Sequence, residues 1–118
     1  MYARMTTARA KPGGVDEALR ILDEQVMPQL TQQRGYKGYQ TCVSRDSNKM
    51  LTLTYWETRE DADRTLNSDW MRQILGLFAD TFAAPPTQEH YEVERDERAE
   101  DTRSDRSGLA EGGADGTR

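Results

Sequence analysis

Few side chains in this sequence are equipped for chemistry, and most of those are aromatic. Trp56 ends a run of alternating residues, and Trp70, Ile74 and Phe78 follow at spacings of four. Aromatic faces stack on planar rings, so Trp56 reads as a candidate catalytic-site wall, with Trp70, Ile74 and Phe78 as candidate substrate-binding residues. A packed core produces the same pattern, and packing is the commoner role of a buried aromatic. Tyr39 and Tyr55 each carry a hydroxyl that can donate to an oxyanion, Tyr39 as a binding candidate and Tyr55 as a catalytic one. Arg72 lies between Trp70 and Ile74 and offers a guanidinium to an anion, although surface arginines are ordinary.

Other chemistries find less support. His90 is the only histidine; in register with Glu92 and Glu94 it reads as a solvated residue rather than a base. One histidine without a carboxylate cluster makes a poor metal site. Cys42, the only cysteine, has no basic neighbour in sequence to lower its pKa, and it excludes an internal disulfide. No Gly-rich phosphate loop, serine elbow or paired-carboxylate motif occurs.

The elements that position these residues are legible from periodicity. Tyr2 to Ala10 reads as a strand stopped by Lys11-Pro12-Gly13-Gly14. Val15 to Gln33 reads as a helix with Val15, Ala18, Leu19, Leu22, Val26 and Leu30 on one face, kinked by Pro28 and stopped at Gly35. Tyr39–Ser44 and Met50–Trp56 form a hairpin about a polar turn. Thr58 and Asp61 make a capping box for a helix to about Asn67, and Ser68-Asp69 caps a second, Trp70 to about Ala79. After Pro85-Pro86, Gln88 to Glu94 is a last strand. The predicted class is α+β, a ferredoxin-like βαββαβ antiparallel sheet with helices on one face.

Such a sheet has a second face to cover. One side of the third strand carries Leu51, Leu53 and Tyr55, and the other Met50, Thr52, Thr54 and Trp56. Neither is clearly polar, as a solvated face should be. Leaving Met50 and Trp56 wet would forgo roughly 1.5–3 kcal/mol for each. A homodimer through the sheet faces is therefore expected, with Met50 and Trp56 under the partner. The alternative is that threonines solvate that face well enough.

Composition sets the remaining bounds. Of the 118 residues 35% are apolar, with a net charge of −5 and a mean hydropathy of −0.95. Much of the deficit lies in residues 95–118, where five arginines, seven acidic residues and four glycines surround one large apolar residue, Leu109. That stretch cannot bury enough surface to offset its ordering entropy, so the domain is expected over 1–94 and a disordered charged tail over 95–118. With no basic stripe, nucleic acid is not an expected partner. With no apolar run near membrane-spanning length and no leader-like segment, neither is a membrane, and cytoplasmic residence is the default.

Several short motifs resemble antibiotic biosynthesis monooxygenase (ABM) domains: Pro12-Gly13 before the first helix, Val26-Met27-Pro28-Gln29-Leu30 followed by Arg34-Gly35-Tyr36-Lys37-Gly38-Tyr39, and Thr54-Tyr55-Trp56-Glu57 before a capped acidic helix. The resemblance spans residues 1–94 and implies a dimeric α/β barrel of two ferredoxin-like units, each with its own pocket. It also implies an activity: oxidation of a small aromatic substrate, quinol- or anthrone-like, by dioxygen without a bound cofactor or metal. In such members the deprotonated substrate supplies the electron, and the protein an apolar pocket and hydrogen bonds to the oxyanion. A haem-degrading branch relies on an Asn in the first strand and on a Trp and a His in later helices. Here those positions hold Met5 or Thr6, then Thr65 and Leu75. The alternative to an oxygenase is a non-catalytic dimeric module that binds a ligand or regulates.

Overall fold

The computed structural model describes residues 1–97. Strand β1 (Tyr2–Arg9) leads into helix α1 (Val15–Ile21), a π-helical turn (Leu22–Val26) and the short helix α2 (Met27–Leu30). Strands β2 (Tyr36–Ser44) and β3 (Lys49–Trp56) form the hairpin, helices α3 (Arg59–Leu66) and α4 (Asp69–Leu77) follow, and β4 (Thr87–Glu92) closes the order. The sheet runs β2-β3-β1-β4 and is antiparallel throughout. This is the ferredoxin-like arrangement expected from the periodicity. The tail expected over 95–118 lies, from residue 98 onward, outside the described residues.

Local sequence accounts for most boundaries. The Thr58 hydroxyl accepts from the Asp61 amide at 3.1 Å, and that of Ser68 from the Met71 amide at 3.1 Å, so both predicted caps form. The box is modified at Asp61, whose carboxylate accepts from the Thr58 hydroxyl at 3.0 Å. Proline 28 has no amide hydrogen for the helical ladder. The chain widens into the π turn just before it and resumes as α2, so the expected kink is a π-bulge. Helix geometry ends at Leu30, three residues short of Gln33. Gly35 takes a positive φ of 82° beside Asp61, so a Cβ there would collide with that carboxylate.

The inward face of the sheet differs from the expectation. Met50 and Trp56 lie under the protein's own helices, at 2% and 0% exposure. They share that face with Tyr2, Arg4 and Ala8 of β1, in register with Trp56, Thr54 and Met50. Leu51, Leu53 and Tyr55 lie on the open face, half-buried, beside Ala3 and Met5. The period-two alternation was legible, but its two faces are nearly equally apolar, and the path of the chain decides which one the helices cover. His90 is also not solvated: it faces inward opposite Arg4, half-buried, with its ring centroid 6.1 Å from that of Tyr2.

Candidate functional site

Between the inward sheet face and the helices lies a cavity of about 100 Å³. Leu22 and Val26, at either end of the π turn, form one wall, and Met71 and Ile74 of α4 with Phe78 at its C-terminal cap form another. The sheet floor is more polar, with Arg4 and Thr6 from β1, Thr52 and Thr54 from β3, Tyr39 from β2 and Gln88 from β4. Among the described residues, no carboxylate or histidine lines it. Pockets for drug-sized ligands run roughly 300–1,000 Å³, so this one suits a single small ring at most.

Beyond one wall is an open cleft of about 520 Å³, lined by Lys11, Ala79, Ala83 and Pro85 among others. The two spaces share Leu75, Phe78, Phe82 and Pro86. Phe78 and Phe82 are stacked there, with centroids 4.9 Å apart and planes 4° from parallel. The backbone around Phe82 is pinned to β1, because the Ala83 amide donates to the Arg9 carbonyl at 2.8 Å and Ala10 bridges Phe82.

Arg4 is the floor residue with the strongest chemistry, and spacing alone did not single it out. It is 3% exposed, its Nη1 donates to the Ala62 carbonyl of α3 at 2.8 Å, and its guanidinium lies 5.7 Å from the Trp56 ring centroid. Burial pushes its pKa down, partly offset by the field of Asp63. The signal available in the sequence was a lone arginine at an inward position of the first strand.

The structure brings together some of the candidate residues and separates others. Tyr39, Ile74 and Phe78 all line the cavity. The Tyr39 hydroxyl accepts from Thr41 Oγ1 at 2.8 Å, and burial chiefly raises its pKa, which keeps the phenol neutral and able to donate near pH 7. Trp56 is sealed behind Arg4 rather than lining the space; its Nε1 donates to Thr54 Oγ1 at 2.9 Å. Trp70 packs on the core, half-buried and away from the lining, with an Nε1 that has no hydrogen-bond partner. Tyr55 is on the opposite sheet face, its hydroxyl donating to Gln40 Oε1 at 3.1 Å. Arg72 points outward and pairs with Asp69. Among the described residues, no three His, Cys, Asp or Glu side chains gather as a metal-ligand set.

The described residues thus form a ferredoxin-like antiparallel sheet with a cavity between its inward face and the helices. The chain belongs to the antibiotic biosynthesis monooxygenase family, whose sequence profile it matches over residues 1–76. Among solved structures it is similar to a monooxygenase of Streptomyces coelicolor, from the gene ActVA-Orf6, in complex with nanaomycin D. The TM-score is 0.72 at 11% identity, covering 82% of this chain and 90% of that one. Rv0793 of Mycobacterium tuberculosis gives a TM-score of 0.66 at 14% identity, covering 80% and 96%. At those identities the likeness is one of fold. In sequence the chain is 28% identical over 93 residues to the M. tuberculosis protein named "Uncharacterized protein Rv2557", which covers 79% of this chain. It spans only 41% of that relative's length.

Proposed function

We propose that this domain is a cofactor-independent oxygenase that oxidises a one-ring aromatic of the quinol class with dioxygen in the cavity above Arg4. The observation that carries this reading is the largely apolar cavity between helices and sheet, floored by Arg4, Tyr39 and threonines, in a chain of the monooxygenase family. Ile74 and Phe78 hold the ring, and Tyr39 donates a hydrogen bond to the oxygen that gains charge. Trp56 backs Arg4. The volume favours a quinol over a three-ring anthrone. An ionised quinol passes an electron to dioxygen, and the pair recombines at a ring carbon as a hydroperoxide. Loss of water leaves a hydroxyquinone, so one oxygen atom enters the product and the other leaves as water.

Oxygen uptake with a panel of one-ring quinols, with and without the protein, tests this. Protein-dependent uptake that Ile74→Trp abolishes by filling the cavity is the expected result. Uptake equal to buffer for every quinol overturns it. The absence of any carboxylate or histidine from the lining favours one rival, a module that binds the ring without turning it over. That rival predicts saturable binding without uptake.

We place a second copy of the chain on the open sheet face, where Met5, Leu51, Leu53 and Tyr55 stay half-buried and Tyr91 is 47% exposed. Together the copies complete the dimeric barrel that the family resemblance implies. The compartment proposed is the cytoplasm, where the exposed Cys42 stays reduced.

A further inference from the structure

We propose that Arg4 is an anion anchor and that the cavity takes its ligand as a one-ring monoanion, the ionised oxygen on the guanidinium and the ring among Val26, Ile74 and Phe78. This rests on reading the cavity as a ligand site, and it adds the residue of this chain that selects and holds the ionised form.

The argument starts from the cost of burying a charge. A guanidinium brings five N–H donors and no acceptor. When it is taken from water, it needs a counter-charge or a full set of acceptors. Arg4 is almost wholly buried. Its hydrogen bond goes to one neutral carbonyl, that of Ala62. The face of Trp56 supplies some cation–π attraction. The nearest acidic influence is Asp63, whose carboxylate is paired with Arg59 at 3.6 Å. Among the described residues no carboxylate lies within ion-pair distance of Arg4. The rest of the site offers hydroxyls and one amide, none of them anionic at neutral pH.

A positive group therefore borders an apolar space without a negative partner of its own. A ligand that brings the negative charge satisfies it, and the low-dielectric walls strengthen that attraction. The same walls disfavour a charged ligand that cannot reach Arg4. The oxygen can belong to a phenolate, which offers a single charged acceptor, or to a carboxylate, whose two oxygens match the guanidinium fork.

The test uses the full chain with three one-ring probes: 4-nitrophenol, benzoate and nitrobenzene. Binding is followed calorimetrically and by the colour change that marks phenolate. With the wild-type protein, 4-nitrophenol is expected to bind as the phenolate, its apparent pKa falling by about one unit or more, as beside any close opposite charge. Arg4→Met should abolish that shift and weaken phenolate binding by about tenfold or more. The Met variant should leave nitrobenzene affinity within about threefold, because the apolar walls are untouched. Arg4→Lys, which keeps the charge, should restore part of the shift.

Preference for benzoate over nitrophenolate, lost in Arg4→Met, supports the anchor and assigns the anion to a carboxylate. Wild-type protein that binds nitrobenzene while leaving nitrophenol neutral and benzoate unbound overturns the anchor and leaves the cavity as a ligand site. Failure of all three probes to bind overturns both. If Arg4→Met does not fold, the ionisation shift in the wild type decides alone.

Discussion

Asp61 shows how a single side chain can fasten two elements. It is 6% exposed and accepts from Arg64 Nη1 at 2.8 Å and from Thr58, while the backbone of Gly35 closes over it. The hydrogen bond from Arg64 is the largest cause holding its carboxyl below the ordinary range. A carboxyl whose pKa is depressed on folding contributes stability above its unfolded value, and loses it as pH falls through the folded one. Asp61→Asn should therefore be less stable than wild type near neutral pH, and the gap should narrow as acid protonates Asp61. Urea melts at several pH values read this; a gap that does not change with pH argues against it. Gly35→Ala places a methyl on the same carboxylate at a positive φ and should cost about 1–3 kcal/mol or more in the same melts. Asp61 was legible in the sequence as the partner of Thr58 in a capping box. Its contact with Gly35 was not, because it joins residues far apart in the chain.

At the level of elements, periodicity located every strand and helix to within a few residues. Thr58 and Ser68 mark their helices because a cap is a local arrangement of a few residues. The inward face of β3 was misread for a non-local reason. The side on which the helices pack, and the register that sets Met50 and Trp56 beside Ala8 and Tyr2, assign those residues to the helices, and neither is written in the alternation of β3. The cavity was half legible: Ile74 and Phe78 follow from the stripe on α4, whereas Arg4 and Gln88 enter only once β1 pairs with β4. The link between α4 and β4 has a consequence for ligand size. Because the backbone at Phe82 is pinned, its ring can be removed from the wall between cavity and cleft without shifting the chain. Phe82→Ala should merge the two spaces and admit two- and three-ring ligands at least about tenfold more tightly than wild type does, in line with the apolar surface they would bury. Calorimetry with 1-naphthol and anthrone checks this, and unchanged affinity for both rejects the wall.

Across the whole molecule, the open sheet face, on the side away from the helices, carries Met5, Leu51 and Leu53 half-buried. Leu53 lies near its centre, paired with Met5 and Gln40. Leu53→Glu should turn a dimeric mass in light scattering into a monomeric one while leaving far-ultraviolet circular dichroism unchanged, since burying an unpaired carboxylate costs several kcal/mol. A monomeric mass for the wild-type protein at micromolar concentration refutes the pairing.

The cavity lies on the helix side of the sheet, whereas the surface assigned to pairing lies on the other. Two copies joined back to back would thus hold their ligands at opposite poles, with two sheets of backbone between them. Filling one pole changes nothing at the seam that the other could sense. Occupancy should therefore rise along a simple hyperbola, with a Hill coefficient of about one, each half answering to its own guest.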